Sequence, residues 1–144
     1  MEPIRILLVE DNEGDVVLTL EAFESIRLAN SVKVVNDGEE AIQYLNKEGS
    51  FADAEEPDMI LLDINLPKID GKQVLQYIKT HERFKVIPVV ILTSSASERD
   101  INETYSQHAN CYITKPVDFS KFITVIKSIE TFWINIVQLP IKPI

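Results

Sequence analysis

Residues Met59–Gly71 read MILLDINLPKIDG, and in this stretch four apolar residues lead directly into an aspartate, Asp63. A short apolar run of this kind predicts a strand that is buried on both faces, as in a parallel sheet. The Ile-Asp-Gly triplet that follows predicts a turn before the next helix. An ionisable side chain at the end of a buried strand requires an explanation, which the rest of the chain provides.

The rest of the chain repeats the order of a buried strand followed by a helix. The predicted strands are Ile4–Glu10, Ser31–Val35, Asp58–Asp63, Ile87–Ser95 and Cys111–Thr114. Helices are predicted over residues 11–30, 39–48, 71–84 and 98–109, and a long last helix over Asp118–Val137. Five such alternations predict an α/β fold, a flavodoxin-like doubly wound parallel sheet with strand order 2-1-3-4-5 and helices on both faces.

The composition is that of one globular domain, which we expect to span residues 1–144 with an extended C-terminal helix and a short tail, LPIKPI. Hydrophobic residues make up 45% of the chain, enough for a core without metals or disulfides. The single cysteine, Cys111, fits a reducing compartment, and we expect a cytoplasmic location. A net charge of −9 argues against nucleic acid as a partner. No apolar run approaches the roughly 20 residues that a membrane span needs.

Polar residues collect at the carboxyl ends of the predicted strands. Glu10 and Asp11 end the first strand, Asp63 ends the third, Thr93 ends the fourth, and Lys115 follows the fifth. In the order 2-1-3-4-5 the first and third strands are neighbours, so three carboxylates converge on one crevice. Close carboxylates repel one another unless they share a cation, and hard oxygen ligands at a partly open site favour Mg²⁺. A carboxylate beside a metal and a lysine can accept a phosphoryl group.

Four motifs, LLVEDN, MILLDINLPKIDG, VVILTSS and YITKPVD, resemble in this order those of the receiver domains of two-component response regulators. The resemblance extends from about Ile4 to the end of the last helix. It implies that the chain is a phosphorylation-controlled switch rather than an enzyme, able to take phosphoryl groups from small donors and to dephosphorylate itself. The residue roles that it implies are Glu10 and Asp11 as Mg²⁺ ligands, Asp63 as metal ligand and phosphoacceptor, the Asn65 carbonyl as a further metal ligand, Thr93 and Lys115 as phosphoryl contacts, and Thr93 with Tyr112 as the switch pair.

The long loop before Pro57 and the segments HANCYITKPVD and ETFWINIVQLP resemble the single-domain regulators that are paired with bacterial phytochrome kinases. The resemblance implies that a sensor histidine kinase, and specifically a phytochrome, donates the phosphoryl group. It also implies that the output is a protein contact or a further phosphotransfer.

Other functions remain open at this level. An Mg²⁺-dependent phosphatase or phosphotransferase with an aspartate nucleophile is one alternative, but the sequence Asp63-Ile64-Asn65 lacks the second aspartate of a D-x-D pattern. Flavin binding needs a phosphate-cradling loop after the first strand, and the acidic EDNEGD would repel phosphate. A receiver-like binding module that is never phosphorylated is a third alternative. Asp15 is predicted to be an ordinary first-turn helix charge rather than a ligand.

The last predicted helix carries more apolar surface than its strand can cover. Residues 118–137 would span roughly 30 Å as a helix, whereas a five-residue strand spans about 17 Å. We therefore predict that the far end of the helix overhangs the sheet and forms a homodimer interface through Phe132, Trp133 and Ile136. The alternative is that the tail LPIKPI folds back over these side chains.

Overall fold

The fold follows from a computed structural model that describes residues 4–24, 30–93 and 111–115, together with Ser120 and Thr124. The strands are β1 (Ile4–Val9), β2 (Asn30–Val35), β3 (Met59–Asp63), β4 (Val89–Thr93) and β5 (Cys111–Thr114). The helices are α1 (Glu13–Glu24), α2 (Gly38–Leu45) and α3 (Gly71–Thr80), with a short 3-10 helix at Gly49–Phe51. The predicted helix over residues 98–109 lies outside the described residues.

The five strands form one parallel sheet in the order β2-β1-β3-β4-β5, which confirms the predicted topology. β1 lies between β2 and β3, where Val9 is in register with Val35 on one side and Leu62 on the other. Because all strands run in the same direction, their carboxyl ends meet at one edge of the sheet. The chain therefore gathers at this edge the polar residues that end each strand.

Alternate side chains of the buried strands supply two separate cores, one on each face of the sheet. On β1, Leu7 and Val9 belong to the core shared with α2 and α3, whereas Ile6 and Leu8 belong to the core shared with α1. Residues of β3 and β4 alternate in the same way, and both strands are buried along their whole length. Helices thus cover both faces, and this accounts for apolar runs without polar alternation.

The helices begin at residues that satisfy their first backbone N–H groups. The Asp37 carboxylate accepts a hydrogen bond from Glu40 N at the start of α2. At the start of α3, Asp70 and Gln73 form a reciprocal capping box. Each cap satisfies donors that the helix itself leaves unpaired and stabilises the helix by about 1 kcal/mol.

Three predicted helix ends are wrong. The helix predicted over residues 39–48 ends at Leu45, and the helix predicted over residues 11–30 cannot reach Asn30, which is the first residue of β2. The helix predicted over residues 71–84 ends at Thr80, because His81 is extended and the next residues turn back. In that turn Phe84 is 1% exposed and stacks on His81, with ring centroids 4.2 Å apart. Packing of Phe84 into the core thus overrides helical propensity.

The predicted interface residues Phe132, Trp133 and Ile136 lie outside the described residues, as does most of the predicted last helix. Within that helix Ser120 and Thr124 are helical, and the Thr124 hydroxyl donates to the Ser120 carbonyl at 2.9 Å. The homodimer therefore stays a prediction. Among the helices in the described part of the chain, none has the length and apolar character needed to cross a membrane.

Candidate functional site

Three carboxylates meet where β1 and β3 end side by side. Glu10 directly follows β1 and continues the β1–β2 ladder by donating its N–H to the Val35 carbonyl at 3.0 Å. Asp63 is the last residue of β3, and Asp11 stands at the start of the loop to α1. One carboxylate oxygen from each of Glu10, Asp11 and Asp63 lies within 4.8 Å of the other two. Glu10 and Asp63 are buried and Asp11 is exposed, so the cluster opens to solvent on one side.

The ammonium of Lys115 is shared among three carboxylates of this edge. Its Nζ lies 2.6 Å from Glu10 Oε1, 3.1 Å from Asp63 Oδ2 and 3.0 Å from Asp15 Oδ2. Lys115 directly follows β5, and its N–H donates to the Thr93 carbonyl at 2.8 Å, which extends the β4–β5 ladder by one residue. The backbone of the sheet thus delivers the lysine to the carboxylates from two strands away.

One atom of the cluster lacks a hydrogen bond. Glu10 Oε1 is fully buried and has no hydrogen-bond partner among the described residues, so its 2.6 Å contact with Lys115 is an ion pair without hydrogen-bond geometry. Burial of a carboxylate oxygen costs free energy, which the ion pair with Lys115 offsets in part. Carboxylate oxygens from three residues are the ligands that a hard divalent cation takes, so the residues present fit a metal ion.

Burial and crowding shift the ionisation of the site. Burial first, and then the neighbouring carboxyl of Asp63, raise the pKa of Glu10 from 4.5 to about 7, against the opposing effect of Lys115. Burial by itself lowers the pKa of Lys115, but the carboxylates of Glu10, Asp15 and Asp63 outweigh it, so that pKa lies above its usual value. Without a further cation the site therefore binds a proton more readily than a solvated acidic cluster would.

The turn after β3 fixes the Asp63 side chain through close backbone packing. The N–H of Asn65 donates to Asp63 Oδ1 at 3.1 Å, and the N–H of Gly71 donates to the Ile64 carbonyl at 3.1 Å. A Cβ atom at Gly71 would overlap the Asp63 carbonyl oxygen and lie 2.6 Å from Ile64 Cα. Gly71 therefore allows the first turn of α3 to lie directly against the backbone of the acidic residue.

The remaining predicted residues surround this cluster. Asn65 and Asp11 both line a surface cleft of about 420 Å³ beside the carboxylates. Thr93 is buried at the end of β4 and is in register with Thr114. Tyr112, in register with Ile91 on β4, is half-buried against the core that contains α2 and α3. The structure thus brings Glu10, Asp11, Asp63 and Lys115 together and places the others at the same edge of the sheet or, for Tyr112, along β5.

Sequence reasoning missed the contact of Asp15, whose carboxylate binds Lys115 instead of acting only as a first-turn charge. A signal was available, because a loop of three residues joins β1 to α1 and keeps the first turn of the helix near the strand ends. Asn12 caps α1, since its Oδ1 accepts a hydrogen bond from the Asp15 N–H at 2.9 Å.

Comparison with known proteins identifies the family. The family model of the response regulator receiver domain matches residues 6–127 of this chain. The chain belongs to this family, which confirms the resemblance stated from the four motifs. It is therefore a receiver-domain response regulator of two-component signalling.

The proteins similar to this chain include response regulators of phytochromes. The chain is 39% identical to the response regulator Rcp1 of Synechocystis sp. over 96% of this chain and 94% of that protein. Among solved structures, the phosphorylated cyanobacterial phytochrome response regulator RcpA is 47% identical with a TM-score of 0.78, covering 92% of this chain and 95% of that one. The bacteriophytochrome response regulator AtBRR is 45% identical with a TM-score of 0.84, covering 92% and 96%. A further structure holds the Mn²⁺-bound form of Rcp1, 37% identical with a TM-score of 0.78 over 99% of this chain and 100% of that one.

Proposed function

We propose that this response regulator accepts a phosphoryl group on Asp63 from a partner histidine kinase and passes the signal on by protein contact. One observation carries the proposal: the Asp63 carboxylate ends a buried strand 3.1 Å from the Lys115 ammonium and within reach of the Glu10 and Asp11 carboxylates. The phosphorylated state of the relative RcpA supports it.

In the transfer, a carboxylate oxygen of Asp63 forms a bond to the phosphorus as the bond from phosphorus to the donor breaks. The donor nitrogen or oxygen keeps the electron pair of the broken bond, so acetate would be the leaving group when acetyl phosphate is the donor. The N–H of Asn65 holds Asp63 Oδ1 at 3.1 Å and Lys115 holds Oδ2, so the carboxylate is oriented before the donor arrives. Lys115 then offsets negative charge on the transferred oxygens.

We further propose that the metal is Mg²⁺, held by Glu10, Asp11, Asp63 and the carbonyl of Asn65. A divalent cation at these ligands would offset the charge of the carboxylates and of the phosphoryl oxygens. The three-carboxylate cluster and the Mn²⁺-bound form of Rcp1 support a divalent ion at this place. Mg²⁺ matches oxygen ligands and a phosphate co-ligand.

Phosphorylation adds about −1.5 to −2 charge beside Thr93 and Lys115. We propose that the Thr93 hydroxyl contacts the phosphoryl group and that Tyr112 moves into the space that Thr93 vacates. Tyr112 is half-buried on β5, two residues before the strand end, so part of its side chain is exposed. Such a two-state element would convert a local charge into a changed protein surface.

The proposed donor is a histidine kinase of the phytochrome type, by analogy with RcpA and AtBRR. The proposal also includes a single domain over residues 1–144, a cytoplasmic location and self-dephosphorylation. It further includes a homodimer through Phe132, Trp133 and Ile136. Sedimentation of the wild-type protein and of the double variant Phe132→Ala/Trp133→Ala tests the dimer. The wild-type protein should sediment as a dimer at tens of micromolar, and a wild-type monomer would contradict the proposed interface.

Incubation with acetyl phosphate and Mg²⁺, followed by intact-mass measurement, tests the acceptor. Wild-type protein should gain the mass of one phosphoryl group, and Asp63→Asn should gain none. A matched control is Asp58→Asn, which makes the same change just before the other end of β3 and should leave the gain intact. Labelling that persists in Asp63→Asn would move the acceptor to another residue, and wild-type protein that stays unlabelled would contradict the proposed function.

A further inference from the structure

Lys115 has a third carboxylate partner that the proposed function does not use. Asp15 Oδ2 lies 3.0 Å from Lys115 Nζ, a distance that matches the 3.1 Å contact with Asp63. Asp15 is not among the carboxylates that gather closely enough to hold a metal ion together, a group formed by Glu10, Asp11 and Asp63. Its contact with the lysine therefore needs its own explanation.

The β1–α1 loop holds Asp15 in place. Asn12 Oδ1 accepts from the Asp15 N–H at 2.9 Å, and the Asn12 N–H in turn donates to Glu10 Oε2 at 3.3 Å. The Asp15 carbonyl accepts from the Thr19 hydroxyl at 2.7 Å, and Thr19 is buried. The backbone N–H and the carbonyl of Asp15 therefore both have side-chain partners. These contacts hold the Asp15 carboxylate against Lys115 at the edge of the site.

The side chains around the Lys115 ammonium differ in exposure to solvent. The side chain of Lys115 is 12% exposed and that of Asp15 is 31% exposed, whereas the Asp63 side chain is 5% exposed. The ammonium consequently lies between a buried acceptor residue and a carboxylate nearer to solvent. An incoming phosphoryl group brings negative charge to the side of Asp63, and Asp15 already offers negative charge to the same ammonium.

We propose that Asp15 is a positioning residue that holds Lys115 and competes with the incoming phosphoryl group for its ammonium. This inference rests on the proposed function, because it concerns the same transfer to Asp63. With Asp15 in place, part of the charge of Lys115 is drawn away from Glu10 and Asp63. Asp15 thereby favours a cation at those carboxylates and disfavours the phosphoryl group, and so it sets the balance between the two.

Neutralising Asp15 should affect Mg²⁺ binding and phosphorylation in opposite directions. In Asp15→Asn the ammonium pairs more fully with Glu10 and Asp63, and one negative charge near the metal ligands is lost, so Mg²⁺ should bind more weakly. The same change removes both a repulsion and a competitor for the phosphoryl group. Phosphorylation at saturating Mg²⁺ should therefore become faster. One partly exposed ion pair predicts a change of roughly threefold to tenfold in each direction.

The test measures Mg²⁺ affinity by calorimetry and, separately, the second-order rate constant of phosphorylation by acetyl phosphate at saturating Mg²⁺. Asp15→Asn should weaken Mg²⁺ binding and raise the rate constant, whereas Asp15→Glu, which keeps the charge, should return both toward wild type. The matched control is Glu13→Gln, which removes a charge from the same exposed helical turn. It should change both quantities by less than Asp15→Asn does.

The outcomes separate this inference from the function on which it rests. If Asp15→Asn matches wild type or Glu13→Gln in both measurements, Asp15 is a solvated charge and the inference is wrong. If both Mg²⁺ binding and the rate constant fall, Asp15 serves only the fold, which equally overturns it. Labelling of wild-type Asp63 in these experiments would leave the proposed function standing in either case, whereas unlabelled wild-type protein would overturn both.

Discussion

The two ends of strands β1 and β3 carry charged clusters of opposite design. At the amino end, Arg5 distributes its donors over separate acceptors: its N–H bonds Asp58 at 2.9 Å, Nε bonds the Glu56 carbonyl at 3.0 Å, and one terminal nitrogen bonds Glu55 at 3.0 Å. At the carboxyl end, Lys115 is shared by three carboxylates, and a buried oxygen of Glu10 has no hydrogen bond within the described part of the chain.

The difference indicates which cluster serves stability and which serves chemistry. Around Arg5 the charges are partly solvated and paired, with side-chain exposures of 32% for Arg5 and 71% for Glu55. Around Lys115 negative charge is in excess and buried, an arrangement that costs folding free energy unless a cation offsets it. Excess buried negative charge of this kind suits a site that binds a cation. A cleft of about 440 Å³ also lies beside Arg5 and Glu55 at the amino end, but the charges there are already paired, so the charge balance and not the size of the opening distinguishes the two ends.

The largest effect should come from the backbone contact that supports the carboxyl end. Gly71→Ala forces a Cβ against the Asp63 and Ile64 backbone, and we expect it to lower the free energy of unfolding by about 3 kcal/mol or more and to impair phosphorylation. Urea unfolding monitored by circular dichroism measures the change. Gly14→Ala on the exposed first turn of α1 is the control. Its Cβ would lie 3.2 Å from Asn12 Oδ1, a side-chain atom that can shift by a few tenths of an ångström, so the change in stability should be much smaller than that of Gly71→Ala. Equal stability of the two variants would show that the β3–α3 turn is not tightly packed.

The next effect distinguishes a carboxylate of the carboxyl-end cluster, Asp11, from its lysine, Lys115. Asp11→Ala removes a ligand and should weaken Mg²⁺ binding by about tenfold or more, and phosphorylation should fall with it. Lys115→Ala removes a competing cation, so it should leave Mg²⁺ binding similar or tighter while phosphorylation or signalling is impaired. Calorimetric Mg²⁺ titrations of both variants decide the matter. If Lys115→Ala loses Mg²⁺ as severely as Asp11→Ala, the lysine acts on the structure of the site instead.

The pH dependence should distinguish the buried cluster from an ordinary acidic surface. The raised pKa of Glu10, about 7, means that protons compete with the metal, so Mg²⁺ affinity should rise with pH, by at most about tenfold per unit, and level off above 7. Glu10 ionises near 4.5 in the unfolded chain, so in metal-free protein its stabilising contribution is full below that pH and is lost as pH rises through 7.

Calorimetry between pH 5.5 and 8.5 checks the metal affinity, in an interval chosen to be roughly centred on this pKa. Thermal unfolding of metal-free protein checks the stability, and Glu10→Gln should flatten its dependence on pH. A metal-free wild type whose stability rises steadily from pH 5 to 7 would contradict the raised pKa.

The smallest effect belongs to the amino end. Glu55→Gln removes one partner from the Arg5 cluster, and because that carboxylate is 71% exposed we expect a change in unfolding free energy of less than about 1 kcal/mol. Mg²⁺ binding and phosphorylation should not change. Urea unfolding and intact-mass labelling provide the two measurements. A loss of several kcal/mol here would mean that both ends of the sheet depend on their charges in the same way.

The sequence by itself determined the sheet. Five apolar runs separated by helical or turn-rich segments predict a parallel sheet covered by helices on both faces, because strands buried on both faces lack polar alternation and connections between parallel strands need a crossover. The order 2-1-3-4-5 is that of a flavodoxin-like fold, and the structure confirms it. The same reasoning placed Glu10, Asp11, Asp63 and Lys115 at one edge, since parallel strands all end on the same side. These are consequences of local pattern and topology, and they need no knowledge of side-chain packing.

Only the tertiary structure decided the contacts that cross between elements. The helix predicted over residues 71–84 stops at Thr80 because Phe84 packs into the core, a gain that local propensity does not include. Asp15 meets Lys115 across 100 residues of sequence. The short β1–α1 loop places Asp15 near the strand ends, but the tertiary structure decides that its partner is Lys115. Gly71 looked like a turn residue, but its closeness to the Asp63 backbone comes from how α3 packs against the end of β3. Long-range packing and shared charge decide these features, because both depend on distances that the linear sequence does not contain.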